Sequence, residues 1–134
     1  MALRVLLVDD SPHFLQAART LLEREGMHVV AEASTSAEAI DHARSLRPDV
    51  TLIDIDLGDE SGLDLAHRLT QAGPTAGHLV LISAYPESDL RELIDESPVA
   101  GFLPKSRLSG RAIRRLLGEG EEGPNGDVSG RREN

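Results

Sequence analysis

Asp9 and Asp10, Asp54 and Asp56, Ser83, and Lys105 after Pro104 each stand at the end of a short apolar run. Taken singly, each has a plain reading. Asp10 before Ser11-Pro12 suits a helix cap or turn, Ser83 a strand-end hydroxyl bonded to backbone, and Lys105 a solvated surface lysine. Together they specify chemistry. Carboxylates at 9, 10 and 54 within a few ångströms would repel and drive one pKa upward unless cations sit among them. Lys105 supplies one positive charge, and a second is needed. An all-oxygen donor set selects a hard dication such as Mg²⁺, with ligands at ~2.0–2.1 Å. The chain has no cysteine, and no histidine stands among these residues, so zinc is disfavoured. A carboxylate beside a metal that also binds phosphate oxygens, with a lysine and a hydroxyl to hold the rest, is a site for phosphoryl transfer onto Asp54. The product would be an acyl phosphate.

Elements that could position such a site alternate along the chain. Apolar β-like runs at 3–8, 27–33, 50–53, 78–83 and 100–103 are mostly unbroken, as in parallel strands covered on both faces. Between them lie stretches with helical spacing. Phe14, Leu15, Ala18, Leu21 and Leu22 make one stripe, with Pro12 in the first turn and Gly26 as the stop. Thr35-Ser36-Ala37-Glu38 is a capping-box pattern opening a second helix that stops before Pro48. A third helix is expected over about 62–72, a fourth from near Pro86 to Pro98, and a fifth from about Ser109 to Gly118. In an open α/β sheet, ligands bind at the carboxyl ends of the strands where the strand order reverses. If the order is 2-1-3-4-5, strand two is an edge, and the tips of the other four share one crevice. Those four carry the acids, the hydroxyl and the ammonium.

Composition narrows the function classes. The chain has 134 residues, enough for one domain, and no cysteine for disulfides or thiol catalysis. Its amino-terminal apolar run before Asp9 is too short for an export signal or a membrane span, so the cytoplasm is the expected compartment. A net charge of −9 and only three aromatics, Phe14, Tyr85 and Phe102, argue against direct DNA binding and base stacking. Residues 118–134 hold five glycines and one aliphatic residue, Val128, and read as a flexible acidic, glycine-rich tail after a domain over 1–117. No helix-turn-helix module follows, so an output domain, if any, would be supplied by another chain.

VLLVDDS, PDVTLIDIDLGDESGLDL, LVLISAY and AGFLPKS, in this order and spacing, resemble the receiver domains of two-component response regulators. The resemblance covers about 3–117 and implies a three-layer (βα)5 flavodoxin-like fold with a parallel five-stranded sheet in the order 2-1-3-4-5. It also implies roles. Asp54 would accept a phosphoryl group from a phosphohistidine of a sensor kinase or phosphotransfer protein. Asp10 and Asp54 would hold Mg²⁺ through their side chains, Asp56 through its main-chain carbonyl, and Asp9 through a bound water. Lys105 would pair with the phosphoryl oxygens, while Ser83 would bind the phosphoryl group and draw the following loop inward. Phe102 stands where the family has its aromatic switch, and Tyr85 could shade the acyl phosphate from water. The run after AGFLPKS is most like receivers of regulators with helix-turn-helix output domains, so a stand-alone regulator is the expectation here.

Several positions depart from the family pattern. Ser106 stands where proline in a cis peptide is common after the lysine, and Gly58 where proline is frequent after the phosphoacceptor. Asp56, Asp59 and Glu60 add acid near the site. Two other readings compete. Asp54-Ile55-Asp56 also resembles the DxD of haloacid-dehalogenase-like phosphohydrolases, but it lies on the third strand and Gly58 replaces that family's Thr or Val. A phosphorylation-independent scaffold is the other, opposed by the full set of acids, hydroxyl and lysine. Downstream, a switched partner surface of the fourth helix, fifth strand and fifth helix is expected. Arg107, Arg111, Arg114 and Arg115 would form a solvated face, or pair with Asp89, Glu92 and Asp95 of a second copy in a homodimer.

Overall fold

Strand alternation divides each apolar run between two cores. In the computed structural model, which describes residues 2–85 and 90–118, Val5 and Leu7 of β1 (Arg4–Val8) face one cluster while Leu6 and Val8 face the other. β3 (Val50–Asp54) is buried at every position, and β6 (His78–Ser83) at all but the first. Their unbroken hydrophobicity therefore reflects helices on both faces. One layer is α1 (Pro12–Arg24) with α5 (Gly110–Leu116), packing Leu15, Ala18, Leu22 and Ile113 against the sheet. The other is α2 (Ser36–Leu46), α3 (Gly62–Gln71) and the short α4 (Arg91–Asp95), contributing Ala39, Ala43, Leu65, Ala66 and Leu69, with Leu90 and Ile94 at its margin.

The five-stranded sheet is parallel, in the order β2 (His28–Ala33), β1, β3, β6, β7 (Gly101–Pro104). That is the expected 2-1-3-4-5 arrangement once a small antiparallel ribbon, β4 (Asp56–Leu57) with β5 (Glu60–Ser61), is set aside. Two-residue strands are too short to show a period, so this ribbon has no signature in the sequence.

Caps explain the helix starts. Ser11 Oγ accepts the Phe14 N–H at 3.2 Å with Pro12 at the first helical position, and Gly26 follows α1 at φ 93°. Thr35 Oγ1 accepts from Glu38 N at 3.2 Å, but Glu38 returns its carboxylate to Ser34 N, one residue before the position that would close the capping box. That contact holds the Glu38 pKa below its usual value. Ser61 caps α3, and Ser109 caps α5. The expected fourth helix spanned more residues than α4 occupies. Residues 86–89 lie outside the described residues, and at the other end Ser97 Oγ donates to Ile94 O at 2.7 Å, closing the chain before Pro98. The tail expected at 118–134 lies, beyond Gly118, outside the described residues.

Glu60 has a structural partner. It is not among the three clustered carboxylates, and its Oε1 accepts the Ser36 N–H at the start of α2, at 2.7 Å. An acidic side chain there satisfies one of the unpaired N–H groups of the first turn and meets the positive end of the helix dipole.

Candidate functional site

Four strand tips meet at one end of the sheet. β1 runs directly into Asp9, whose N–H still joins the ladder by donating to Ala33 O at 3.0 Å. The Asp9 side chain is buried; Oδ1 accepts from Ser11 N at 2.8 Å, an Asx turn that leads into α1. Its Oδ2 lies 2.7 Å from Lys105 Nζ but accepts no hydrogen bond of acceptable angle. Asp54, the last residue of β3, is buried as well. Its Oδ1 accepts from Asp56 N at 3.2 Å, and its Oδ2 stands 3.2 Å from Lys105 Nζ. Asp10 is exposed, yet its carboxylate joins those of Asp9 and Asp54 in a group whose oxygens lie within 4.8 Å of one another.

Glycine makes room for this approach. A Cβ on Gly58, which sits at φ 74°, would stand 3.1 Å from Asp10 Oδ2. Proline cannot adopt that φ, so this loop conformation excludes it at position 58.

Lys105 follows β7 directly, on a 3₁₀ turn (Lys105–Arg107). Its side chain is only 21% exposed, which removes the solvated-lysine reading. The Lys105–Ser106 peptide is trans. Ser83 closes β6, one residue beyond the partner of Asp54, and pairs in register with Pro104, the neighbour of Lys105. Ser83 is buried, with its Oγ accepting from Tyr85 N at 3.0 Å. Phe102 is buried on the sheet face that carries Leu81, its register partner, and lies diagonally from Ser83. The Tyr85 ring is 60% exposed. Asp56 stays apart from the three clustered carboxylates: its Oδ1 accepts from Gly58 N at 3.2 Å, so the general acid a DxD hydrolase requires is turned into its own loop. Sequence reasoning missed the ring of Phe14, which lies 4.3 Å from Lys105 Nζ. Its place on the apolar stripe of α1 concealed that contact.

Three carboxylates face one ammonium, and the electrostatics follow. Burial pushes the Asp54 carboxyl up to about 6; the Asp56 N–H opposes this, the Asp9 charge adds to it, and Lys105 pulls it back. Burial alone would depress the Lys105 ammonium, but bonding to Asp9 and the charge of Asp54 more than offset it and hold its pKa above the ordinary lysine value. A small hard dication fits this donor set. Asp9 Oδ2 is buried with the Lys105 ammonium beside it but no well-aligned hydrogen bond, the clustered donors are all oxygens, and negative charge is in excess.

Lys105→Met is therefore expected to strand the Asp9 and Asp54 carboxylates. The metal-free variant should lose about 3 kcal/mol at pH 8, the lower end of the cost of leaving buried charge unpaired because Lys105 is partly exposed. Without the Lys105 charge to pull it back, the Asp54 carboxyl would titrate still further above its unfolded value, so the loss should shrink as the pH falls and that carboxyl protonates. Urea unfolding at pH 5 and pH 8 in EDTA measures it; equal losses at both would contradict the pairing described.

The chain matches the response regulator receiver domain family over residues 5–116. It is 42% identical over 103 residues to the nitrate/nitrite response regulator protein NarP of Escherichia coli (strain K12), covering 76% of this chain and 47% of NarP. Over 126 residues it is 32% identical to the protein-glutamate methylesterase/protein-glutamine glutaminase of Alkalilimnicola ehrlichii, covering 89% of this chain and 32% of that one. The chain thus spans half or less of the length of these relatives. Its fold is similar to the crystal structure of a LuxR-family two-component response regulator from Aurantimonas sp. SI85-9A1, with TM-score 0.77, 26% identity, and coverage of 89% of this chain and 88% of that one. The family match over most of the chain, the five-stranded parallel fold and these relatives agree: the chain belongs to the response regulator receiver domain family.

Proposed function

We propose that Asp54 is the phosphoacceptor of a two-component phosphorelay, taking its phosphoryl group from a phosphohistidine of a sensor histidine kinase or phosphotransfer protein. The observation that carries this reading is the buried Asp54 carboxylate, 3.2 Å from the Lys105 ammonium and grouped with the carboxylates of Asp9 and Asp10. A carboxylate so held is ionised at neutral pH and fixed in place as a nucleophile.

In the reaction an Asp54 oxygen attacks phosphorus while the N–P bond of the phosphohistidine breaks. The bonding pair stays on the imidazole nitrogen, which takes a proton from solvent. Lys105, already beside Asp54 Oδ2, transfers its hydrogen bonds to a phosphoryl oxygen as charge spreads over the equatorial oxygens. Asp10, Asp54 and the Asp56 main-chain carbonyl would hold Mg²⁺, with Asp9 acting through water and through Lys105. When bound, the ion neutralises charge shared between carboxylate and phosphoryl oxygens.

The switch lies at Ser83. Turning its hydroxyl toward the phosphoryl group releases the Tyr85 N–H that it now accepts and draws the segment after β6 toward the site. Phe102, on the same sheet face, fills the space this opens, and Tyr85 at the rim limits access of water. The surface altered is that of α4, β7 and α5, which binds a downstream protein target or a second copy of the chain. Signalling rather than turnover is the role, in the cytoplasm where an ATP-dependent kinase forms its phosphohistidine. Among the described residues no helix is long and apolar enough to cross a membrane.

Incubation with a phosphodonor and Mg²⁺ should add the mass of one phosphoryl group, removable by hydroxylamine as an acyl phosphate is, and blocked by EDTA. No mass gain from kinase or small-molecule donors would overturn the reading.

A further inference from the structure

Lys105 is the only lysine in the chain, and it rests against one of only two phenylalanines. The Phe14 ring centroid is 4.3 Å from Nζ, inside the roughly 6 Å range of a cation–π contact. Phe14 reaches this place through a closed set of contacts. Asp9 Oδ1 accepts the Ser11 N–H, Ser11 Oγ accepts the Phe14 N–H, the Phe14 ring meets Lys105, and Lys105 returns to Asp9 Oδ2. One carboxylate therefore sets the cap that aims the ring and also attracts the ammonium that the ring supports.

We propose that Phe14 is a positioning residue for Lys105: its aromatic face seats the ammonium so that Nζ stays between Asp9 and Asp54. A lysine side chain has four rotatable methylenes and loses much rotamer freedom when fixed. Two carboxylates alone leave that chain free to follow whichever oxygen is more negative. The ring attracts the cation through its quadrupole, while the N–H groups stay available to oxygen. When charge moves from the Asp54 carboxylate to a phosphoryl group, Lys105 can change its oxygen partner without losing this support. The rate consequence rests on the phosphoacceptor reading above; the seat itself does not.

Phe14 also packs partly buried against the α1/α5 core, so the test must separate the ring face from apolar bulk. Phe14→Leu keeps the bulk, and Phe14→Tyr keeps the face. In protein labelled only at lysine, a single side-chain spin system reports Lys105, without donor or cation. Its Hε signals should be shifted upfield by the ring in the wild type and in Phe14→Tyr, and should return toward free-lysine values in Phe14→Leu. With donor and Mg²⁺, Phe14→Leu should be phosphorylated roughly three- to thirtyfold more slowly, the range a cation–π contact spans, and Phe14→Tyr should recover most of the rate. If Phe14→Leu fails to fold, Phe14→Met, a flexible apolar chain without a ring, takes its place in both measurements. Unshifted Hε signals in the wild type, signals unaffected by removal of the ring, or equal slowing by Leu and Tyr would overturn the proposal. A wild type that takes no phosphoryl group would defeat the phosphoacceptor reading and leave the Hε signals to decide the seat.

Discussion

Asp54→Asn is expected to abolish phosphoryl gain and, in the same molecule, to raise the stability of the metal-free protein at neutral pH. The first effect follows from the nucleophile. An amide oxygen lacks the anionic charge that attacks phosphorus, so the phosphorylation rate should fall at least about a thousandfold, or about 4 kcal/mol. The second follows from burial. Burial pushes the Asp54 carboxyl up to about 6 in the folded protein from its ordinary 3.8, so between those pH values the folded state holds its proton more tightly than the unfolded chain does. Stability therefore declines as pH rises from about 4 to about 6, and the whole penalty is present above that. A shift of this size corresponds to about 1–3 kcal/mol, the upper end reduced by solvent screening at the partly open site. Asparagine is neutral at every pH and can still accept the Asp56 N–H. Urea unfolding in EDTA should show the variant ahead of wild type at pH 7 and level with it near pH 4. Added Mg²⁺ should reverse the order by stabilising the wild type more. A variant less stable at pH 7 without metal would show that the carboxylates are not in conflict.

Gly62→Ala should produce the largest loss of stability of any single methyl addition near the site. A Cβ there would lie 2.0 Å from the Asp54 carbonyl oxygen and 2.9 Å from Ile55 Cα, both backbone atoms that cannot rotate away. Gly62 N also donates to Ile55 O at 2.7 Å, so moving α3 aside breaks the bond that starts it beside the end of β3. Overpacking against backbone should cost about 3 kcal/mol or more and lower Tm by more than about 10 °C. Any folded fraction should bind Mg²⁺ more weakly, because the carbonyl displaced belongs to Asp54. Gly26→Ala is the control. Gly26 has open space around its missing Cβ and only a positive φ of 93° to strain, so about 1 kcal/mol is expected. Equal midpoints for the two variants would refute the steric argument.

Much of this architecture was legible because its determinants are local. Strands buried on both faces read as unbroken apolar runs, and Ser11-Pro12 and Thr35 through Glu38 announced helix starts through capping chemistry. The 62–72 helix was found, but the reason Gly62 must open it was not, since the carbonyl it avoids belongs to a residue eight positions earlier. Glu60 counted as site acid in sequence, yet its carboxylate serves Ser36, 24 residues away. Nothing in the composition of a loop tells which of three acids will find a helix N-terminus.

By itself the sequence determined which groups end the strands and, through apolar periodicity, that helices must cover both faces of a parallel sheet. Strand order came from family resemblance, because pairing between distant strands leaves no local signature. Only the tertiary structure decided how the charges are shared. It buried Asp9 and Asp54 on either side of Lys105, left Asp10 exposed, and turned Asp56 and Glu60 elsewhere. The reason is physical: a residue type states what a side chain can bond, whereas burial and distance, set by packing across the sheet, decide which bonds form and how strongly charges are felt.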